Sequence, residues 1–322
     1  MNILLLLAGP FGIAAEAAPA LEPQPLANES YGEAYTAISA LDDGSYALLQ
    51  LMFTNAGVGS RKAVCRALWV PPGKAGINAS TQLSSKEWSY DAATDTLTAG
   101  ECSLGVTDGG LRFVARVPDL NITLDLAAPL NPVQPPDHRI EHNGAFYQAK
   151  MLVPYAKVSA SIASSGGTVT TAGKAHIDHS LSNLLMPNAA ACWLRFRGFV
   201  GTTPTLMQVR IPPGGGAPSG WVWPLTKAQP TAVASDRIRV RIDENGRPAV
   251  SVLGDHRVEV GTTQSLFVYR PADAYGALGR LASPWIGNPT TTTYRANGSS
   301  AGDSVAGILE VLRVDDPGCA TQ

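Results

Sequence analysis

The chain has 322 residues, enough for one large or two ordinary domains with a sizeable core. A net charge of −2, with Lys and Arg scattered, gives no electrostatic footprint for nucleic acid or an anionic membrane surface, and neither is expected as a partner. Charged residues make up only 16 %, while 32 glycines and 24 prolines interrupt the chain every few residues, the composition of a β-rich protein with many turns.

At the N-terminus, Ile3 to Leu7 and Ala8 to Ala15 form an apolar run that leads into the small-residue sites Ala15-Glu16-Ala17 and Ala18-Pro19-Ala20. The pattern reads as a secretory signal over residues 1–20, with a buried N-terminal strand as the alternative because Met1-Asn2 supplies no basic residue. The run is too short to cross a bilayer and no later stretch is long enough, so no membrane span is expected. Export predicts a secreted protein or one in the secretory-pathway lumen, or in the periplasm of a bacterium. Such a compartment would oxidise Cys65, Cys102, Cys192 and Cys319. Four cysteines allow three pairings. We favour Cys65 with Cys102 and Cys192 with Cys319, one bridge per half, since no CxxC or HxxC spacing points to a metal. Asn28, Asn78, Asn121 and Asn297 stand in glycosylation tripeptides, which fits a glycoprotein.

Leu21 to Asn28 reads as a Pro-containing tether. Strand-length apolar runs follow at Tyr46–Phe53, ended by Asn55-Ala56-Gly57, and at Ala63–Val70, stopped by Pro71-Pro72-Gly73. Trp88–Asp91, Thr94–Thr98 and Cys102–Val106 continue the pattern. Leu111–Val117 and Asn121–Leu126 alternate apolar and polar as half-buried strands do. Leu130–Pro136 is a Pro-rich crossing, and Phe146–Pro154 and Ala156–Ala163 read as two further strands. Ser164-Ser165-Gly166-Gly167 then turns into Thr168–Thr171. Leu184–Ala190 is a connector, after which Ala191–Arg197, Thr205–Ile211, Gly220–Trp223, Arg237–Ile242, Ser265–Tyr269 and Gly307–Val314 repeat the texture. No window holds a helical period with caps. Many short strands at near-regular spacing predict an all-β protein with two antiparallel β-barrel or β-sandwich domains in tandem, residues 21–186 and 187–322.

The densest chemistry lies between the halves, in Gly173–Asn183, where His176, Asp178 and His179 fall within four residues. The remaining histidines are His138, His142 and His256. The strands leading to Phe146-Tyr147, the segment Met151–Val158, the Gly173–His179 motif and the closing Gly307-Ile308-Leu309-Glu310-Val311 together resemble the two-domain lipocalin-like superfamily. That group includes carotenoid 1,2-hydratases, tocopherol cyclase and fungal Diels–Alderases. Its central motif runs glycine, an aromatic, Asp-His, then Trp-Gly. Gly173, Asp178 and His179 keep their places here, while His176 replaces the aromatic, Leu181 the Trp and Ser182 the glycine. The resemblance implies two lipocalin-like domains and a cofactor-free, non-redox reaction on an elongated apolar substrate, held in a barrel or between the domains.

On the residues themselves, a carboxylic acid in an apolar cavity stays neutral more readily and can protonate an alkene or hydrogen-bond a carbonyl. Asp178, with His176 or His179 beside it, is therefore the candidate catalytic group. The structural alternative is that an Asp-His pair satisfies backbone donors and pins two sheets together. On a strand His176 and Asp178 share a face and His179 points the other way, which leaves no third metal ligand, so no metal site is expected. Tyr147, Trp193, Trp221, Trp223 and Asn183 are candidates for the wall of a substrate pocket. Trp69, Trp88, Trp285, Phe146 and Tyr155 could join that wall, though each alone reads as core. Arg237, Arg239 and Arg241 read as a solvated sheet face, with a cradle for a carboxylate as the rarer use. No nucleophile elbow, phosphate loop or dinucleotide fingerprint occurs, and the reading calls for no cofactor. The expected ligand is a hydrophobic small molecule such as a polyketide, terpenoid or polyene, undergoing Diels–Alder-type cyclisation, isomerisation or hydration. The alternative is a non-catalytic carrier or stress protein with the same pocket.

Overall fold

The computed structural model describes residues 21–56, 60–244, 246–253, 257–270, 289–314 and 319. The expected signal segment, Trp285 and His256 lie outside them. The first half runs β1 (Gly32–Leu41), β2 (Tyr46–Thr54), β3 (Lys62–Val70), β4 (Ile77–Leu83), β5 (Trp88–Asp91) and β6 (Thr96–Ala99). It continues through β7 (Cys102–Thr107), β8 (Gly110–Val117), β9 (Leu120–Leu126), β10 (Arg139–His142), β11 (Ala145–Ser164) and β12 (Gly167–Ser182). After the short helix α1 (Met186–Ala189) come β13 (Cys192–Val200), β14 (Thr203–Ile211), β15 (Ser219–Pro224), β16 (Thr231–Val233) and β17 (Ile238–Ile242). The last four are β18 (Pro248–Val252), β19 (Val258–Tyr269), β20 (Thr290–Ser300) and β21 (Asp303–Arg313).

Two antiparallel sheets result, each curled into a nearly closed barrel. The first has the order β4-β3-β2-β1-β12-β11-β9-β8-β7-β6-β5, with β10 also on β11; the second is β16-β15-β14-β13-β21-β20-β19-β18-β17. In both, the last strand returns to pair with the first, β12 with β1 and β21 with β13. Alternation does the work expected of it: in β8, Leu111, Phe113 and Ala115 are buried while Arg112 and Arg116 are exposed. The interior of the first barrel is filled by side chains such as Tyr35, Leu49, Phe53, Leu104 and Phe113, and that of the second by Leu194, Phe196, Val209, Val250 and Leu309. Both barrels have packed cores.

Several elements differ from the sequence expectation. Phe146–Pro154 and Ala156–Ala163 are one strand, β11, in which register shifts on both sides of Val153 absorb Pro154, a residue with no N–H for the ladder. β1 is absent from the expectation because its inward row contains Glu33, which breaks the apolar alternation. β20 is Thr-rich and polar, yet it is paired on both edges. Both favoured disulfides form, Cys65–Cys102 and Cys192–Cys319. The second closes a loop of 127 residues, for which chain entropy gives about 4–5 kcal/mol of stabilisation.

Glu33 is fully buried inside the first barrel, and its carboxylate is matched on every side. It accepts hydrogen bonds from Tyr31 Oη at 2.7 Å, Tyr35 Oη at 3.3 Å and the Gln24 backbone N–H at 2.8 Å, and it meets His179 Nε2 at 2.7 Å. The single Tyr35 hydroxyl proton is shared with the Leu21 carbonyl at 3.1 Å, so the Pro-containing tether is docked by the same cluster. Glu33→Ala would leave these donors unmatched and is expected to cost about 3–5 kcal/mol. The drop would be read from the urea midpoint, and a loss under about 1 kcal/mol, the scale of a surface ion pair, would show that the cluster does not hold the barrel together.

Candidate functional site

The period of two along a strand decides what faces the second barrel. On β12, His176, Asp178, Ser180 and Ser182 point outward, whereas Ile177, His179 and Leu181 point into the first barrel. On β13, Trp193, Arg195 and Arg197 point toward the first barrel, and Leu194 and Phe196 into the second. The two outer faces pack on each other through mixed apolar clusters. One joins Ile38, Leu48, Leu68 and Val70 to Ile308 and Phe267; another joins Val133 and Met151 to Leu206, Trp221 and Trp223. Ser219 Oγ donates to Asp137 at 3.0 Å, and the Arg295 guanidinium donates to the Gly44 carbonyl, clasping the edges of the interface.

Between these faces lies a cavity of about 370 Å³. Its floor is one row of register partners across the first sheet, Arg66, Gln50, Thr36, Asp178 and Met151 on β3, β2, β1, β12 and β11. Its roof is a matching row across the second sheet: Phe267, Thr293, Glu310, Arg195, Gln208 and Trp221. All eleven of these side chains line the cavity. Two residues away along each strand the floor turns apolar, with Leu68, Leu48 and Ile38 on one side and Met52, Ala34 and Ala149 on the other. Four strand spacings of roughly 4.8 Å make the floor about 19 Å long, while a sphere of the same volume would be only about 9 Å across; the cavity is therefore a slot.

Arg197, from β13, closes the middle of the slot. It is 7 % exposed and is shared by two acids, Glu310 of its own sheet at 2.5 Å and Asp178 of the other. Burial alone would lower the Arg197 pKa, but the two carboxylates outweigh it and hold the guanidinium above its ordinary value. Glu310 also lies 3.9 Å from Arg195 Nε. Asp178, nominated as a proton donor, accepts a hydrogen bond from the Arg197 guanidinium in this arrangement. Its side chain remains 21 % exposed, enough to accept a hydrogen bond from a ligand. The Nε1–H groups of Trp193 and Trp221, both on the slot wall, make no hydrogen bond among the described residues.

His176 and His179 part company. His176 is buried beside the slot, its Nδ1 against the Pro154 carbonyl; a carbonyl only accepts, so Nδ1 carries the proton and Nε2 is an acceptor. Burial, reinforced by Arg197, pushes its pKa down to about 4, so the ring is neutral at physiological pH. His179 stacks on Tyr35 at 4.4 Å and serves Glu33 on the other face of the sheet, so it forms no catalytic dyad with Asp178. Tyr147, Trp193 and Trp221 line the slot, with Tyr147 and Trp193 packed edge to face at 4.8 Å. Asn183 and Trp223 do not line it: the Asn183 carboxamide oxygen accepts the Phe146 N–H at 2.7 Å, and Trp223 donates to the Lys227 carbonyl at 2.8 Å. Arg239 and Arg241 are exposed on the outside of the second barrel, the solvated face of the two alternatives. Arg66, Arg195, Arg197 and Glu310 are missing from the expected set, although Trp193-x-Arg195-x-Arg197 and Ile308-x-Glu310-x-Leu312 carry the signal of charges in phase with large apolar residues. Among the described residues no three His, Cys, Asp or Glu side chains are grouped so as to hold a metal ion, and no helix is long and apolar enough to cross a membrane.

The fold of two barrel-like antiparallel sheets in tandem is similar to that of several solved structures. No protein-family model matches the sequence, and no curated protein matches it in sequence. Among solved structures, a putative AttH from Nitrosomonas europaea shares 13 % identity at a TM-score of 0.64, covering 98 % of this chain and 100 % of its own. Kievitone hydratase from Nectria haematococca shares 11 % identity at a TM-score of 0.55, with 88 % of each chain covered. CghA, solved with Sch210972, shares 12 % at 0.55, again with 88 % of each chain covered.

The unfolded chain takes up a proton at a histidine near pH 6.5, whereas folded His176 resists it down to about 4. Across that window the unfolded state binds more protons, and stability falls as pH is lowered. The loss attributable to His176 is expected to reach about 3 kcal/mol. His176→Asn keeps a donor for Pro154 and should flatten the profile. Denaturation midpoints at several pH values between 7 and 4 check this, and parallel profiles for the two proteins would contradict it.

Proposed function

We propose that this chain binds an elongated, largely hydrophobic metabolite in the slot between its barrels and assists a cofactor-free, non-redox reaction of it, a cyclisation, isomerisation or hydration. The observation that carries the reading is the pair of facing register rows, polar along the centre and apolar at the flanks. Such a slot imposes one extended path on a flexible molecule and removes its rotational freedom before reaction. A site of this volume suits a small molecule. The Trp193 and Trp221 indole N–H groups, together with Gln208, are placed to polarise a ligand carbonyl, stabilising charge that develops on its oxygen. Asp178 is the acceptor for a hydroxyl or an attacking water. Arg197 is a positioning residue that orients Asp178. Kievitone hydratase is, by its name, an enzyme of one of these reaction classes, and the shared fold supports the same kind of chemistry here. Two disulfides fit folding in an oxidising compartment, and we place the protein in a secretory lumen or outside the cell. We likewise assign residues 21–186 and 187–322 as its two domains.

One observation favours the carrier reading instead: Asp178, Glu310 and Arg197 satisfy one another without a ligand. The two readings separate experimentally. Native mass spectrometry of protein purified from its own source is expected to show one small-molecule adduct per chain, lost in Ala149→Trp, which fills the slot. Asp178→Asn is expected to keep the adduct while slowing conversion of the released compound about 100-fold or more. A compound that the wild-type protein returns unchanged would establish a carrier, and adduct retained in Ala149→Trp would remove the slot from consideration.

A further inference from the structure

We infer that the ligand of the slot is an anionic amphiphile, with a terminal carboxylate held by Arg66 and its chain running toward Trp221. This rests on the reading of the slot as the ligand site and adds the chemical class of what enters it.

Arg66 and Phe267 occupy the end of the slot at β3 and β19, and Met151, Leu206 and Trp221 the end at β11 and β15. The ions in the middle are matched among themselves, because Arg197 is held by Asp178 and Glu310, and Arg195 lies near Glu310. Glu33 and Lys150 also line the slot, Glu33 being held by His179, and of the three guanidinium groups on the wall Arg66 is the one without an ion pair among the described residues. Arg66 is 7 % exposed and has no carboxylate partner among the described residues. Its Nε donates to the neutral Asn78 side-chain oxygen at 2.8 Å, and its guanidinium carbon lies 3.6 Å from the centroid of the Tyr269 ring. These two contacts anchor the group and leave the terminal nitrogens without a hydrogen bond to any described residue.

A buried cation without a paired carboxylate is costly, and burial pushes the Arg66 pKa down while the nearby Tyr269, Tyr46 and the more weakly acting Glu310 oppose the shift. A carboxylate arriving in the guanidinium plane would supply the missing charge through two parallel hydrogen bonds, the geometry in which arginine binds most strongly. Gln50, the register partner of Arg66, already donates to Thr36 at 3.0 Å, so the floor beyond it offers a carboxylate no competing cation before Arg197. The position also suits an entrance: Arg66 stands one strand from β4, whose Asn78 and Ser80 are exposed. The ligand's charged end would then stay near water while its tail crosses the slot.

The test uses cis-parinaric acid, a fluorescent polyene carboxylate, beside its methyl ester, with the full mature chain. The wild-type protein is expected to bind the acid about tenfold or more tightly than the ester, one molecule per chain, with the preference shrinking as salt rises. Arg66→Met is expected to abolish that preference while leaving ester affinity within about twofold, which also shows that the variant is folded. Arg66→Lys should restore part of it, since the charge returns without the planar fork. Equal binding of acid and ester by the wild-type protein would overturn the anionic end group and leave the slot reading standing. Binding of neither probe would count against the slot reading itself.

Discussion

Arg197 has been taken out of water and placed where the two sheets meet, and the positions of its partners follow from that. A guanidinium in such a place must be matched by carboxylates, and it is matched by one from each sheet, Glu310 from β21 and Asp178 from β12. Apolar side chains of equal volume would bind the barrels at least as firmly. What the ions add is direction, because hydrogen bonds to a planar fork are satisfied in one arrangement only. The row containing Asp178 is thereby brought opposite the row containing Glu310, and the slot is the space those rows leave. Close backbone approach supports the same arrangement: Gly198 and Gly307 face each other beside Arg197, and a Cβ on either would fall within 2.4 Å of the opposing strand's carbonyl oxygen.

A single strand, β12, serves two unrelated purposes. Its inward residues complete the first barrel, where His179 contacts the buried Glu33 carboxylate at 2.7 Å and stacks on Tyr35. Its outward residues furnish the slot. The period of two separates these roles, so that the side chains of the adjacent residues Asp178 and His179 point to opposite faces of the sheet, although both residues border the slot. The motif that makes this stretch stand out in the sequence is thus a core device and a site device threaded on one backbone, not a catalytic dyad.

The slot combines features usually found apart. Its flanks are apolar enough to take a hydrocarbon chain, yet its centre line carries amides, hydroxyls and ions at nearly every strand. A uniform greasy tunnel would bind a flexible chain without choosing where along it to act. Polar groups at fixed intervals of one strand spacing would select a register for the proposed ligand as they do for the strands themselves. The N–H donors of Trp193 and Trp221 belong to rings that are also walls, so shape and hydrogen bonding come from the same residues.

Strand-length runs, turn residues and alternation were enough to read an all-β chain with two barrel-like units and one disulfide in each, because those properties depend on neighbours in the chain. Local patterning also assigned Asp178 and His179 to opposite faces. It missed β1, where a buried Glu33 hides among small residues, and it read β11 as two strands at Pro154. Which acid would be paired and which cation left over was beyond its reach. Arg66, Arg195, Arg197 and Glu310 look in sequence like ordinary exposed charges on amphipathic strands, since a face turned toward another barrel has the same period as a face turned toward water. Only the docking of one sheet on the other, joining residues as far apart as Arg66 and Glu310, removed the water and made them a site.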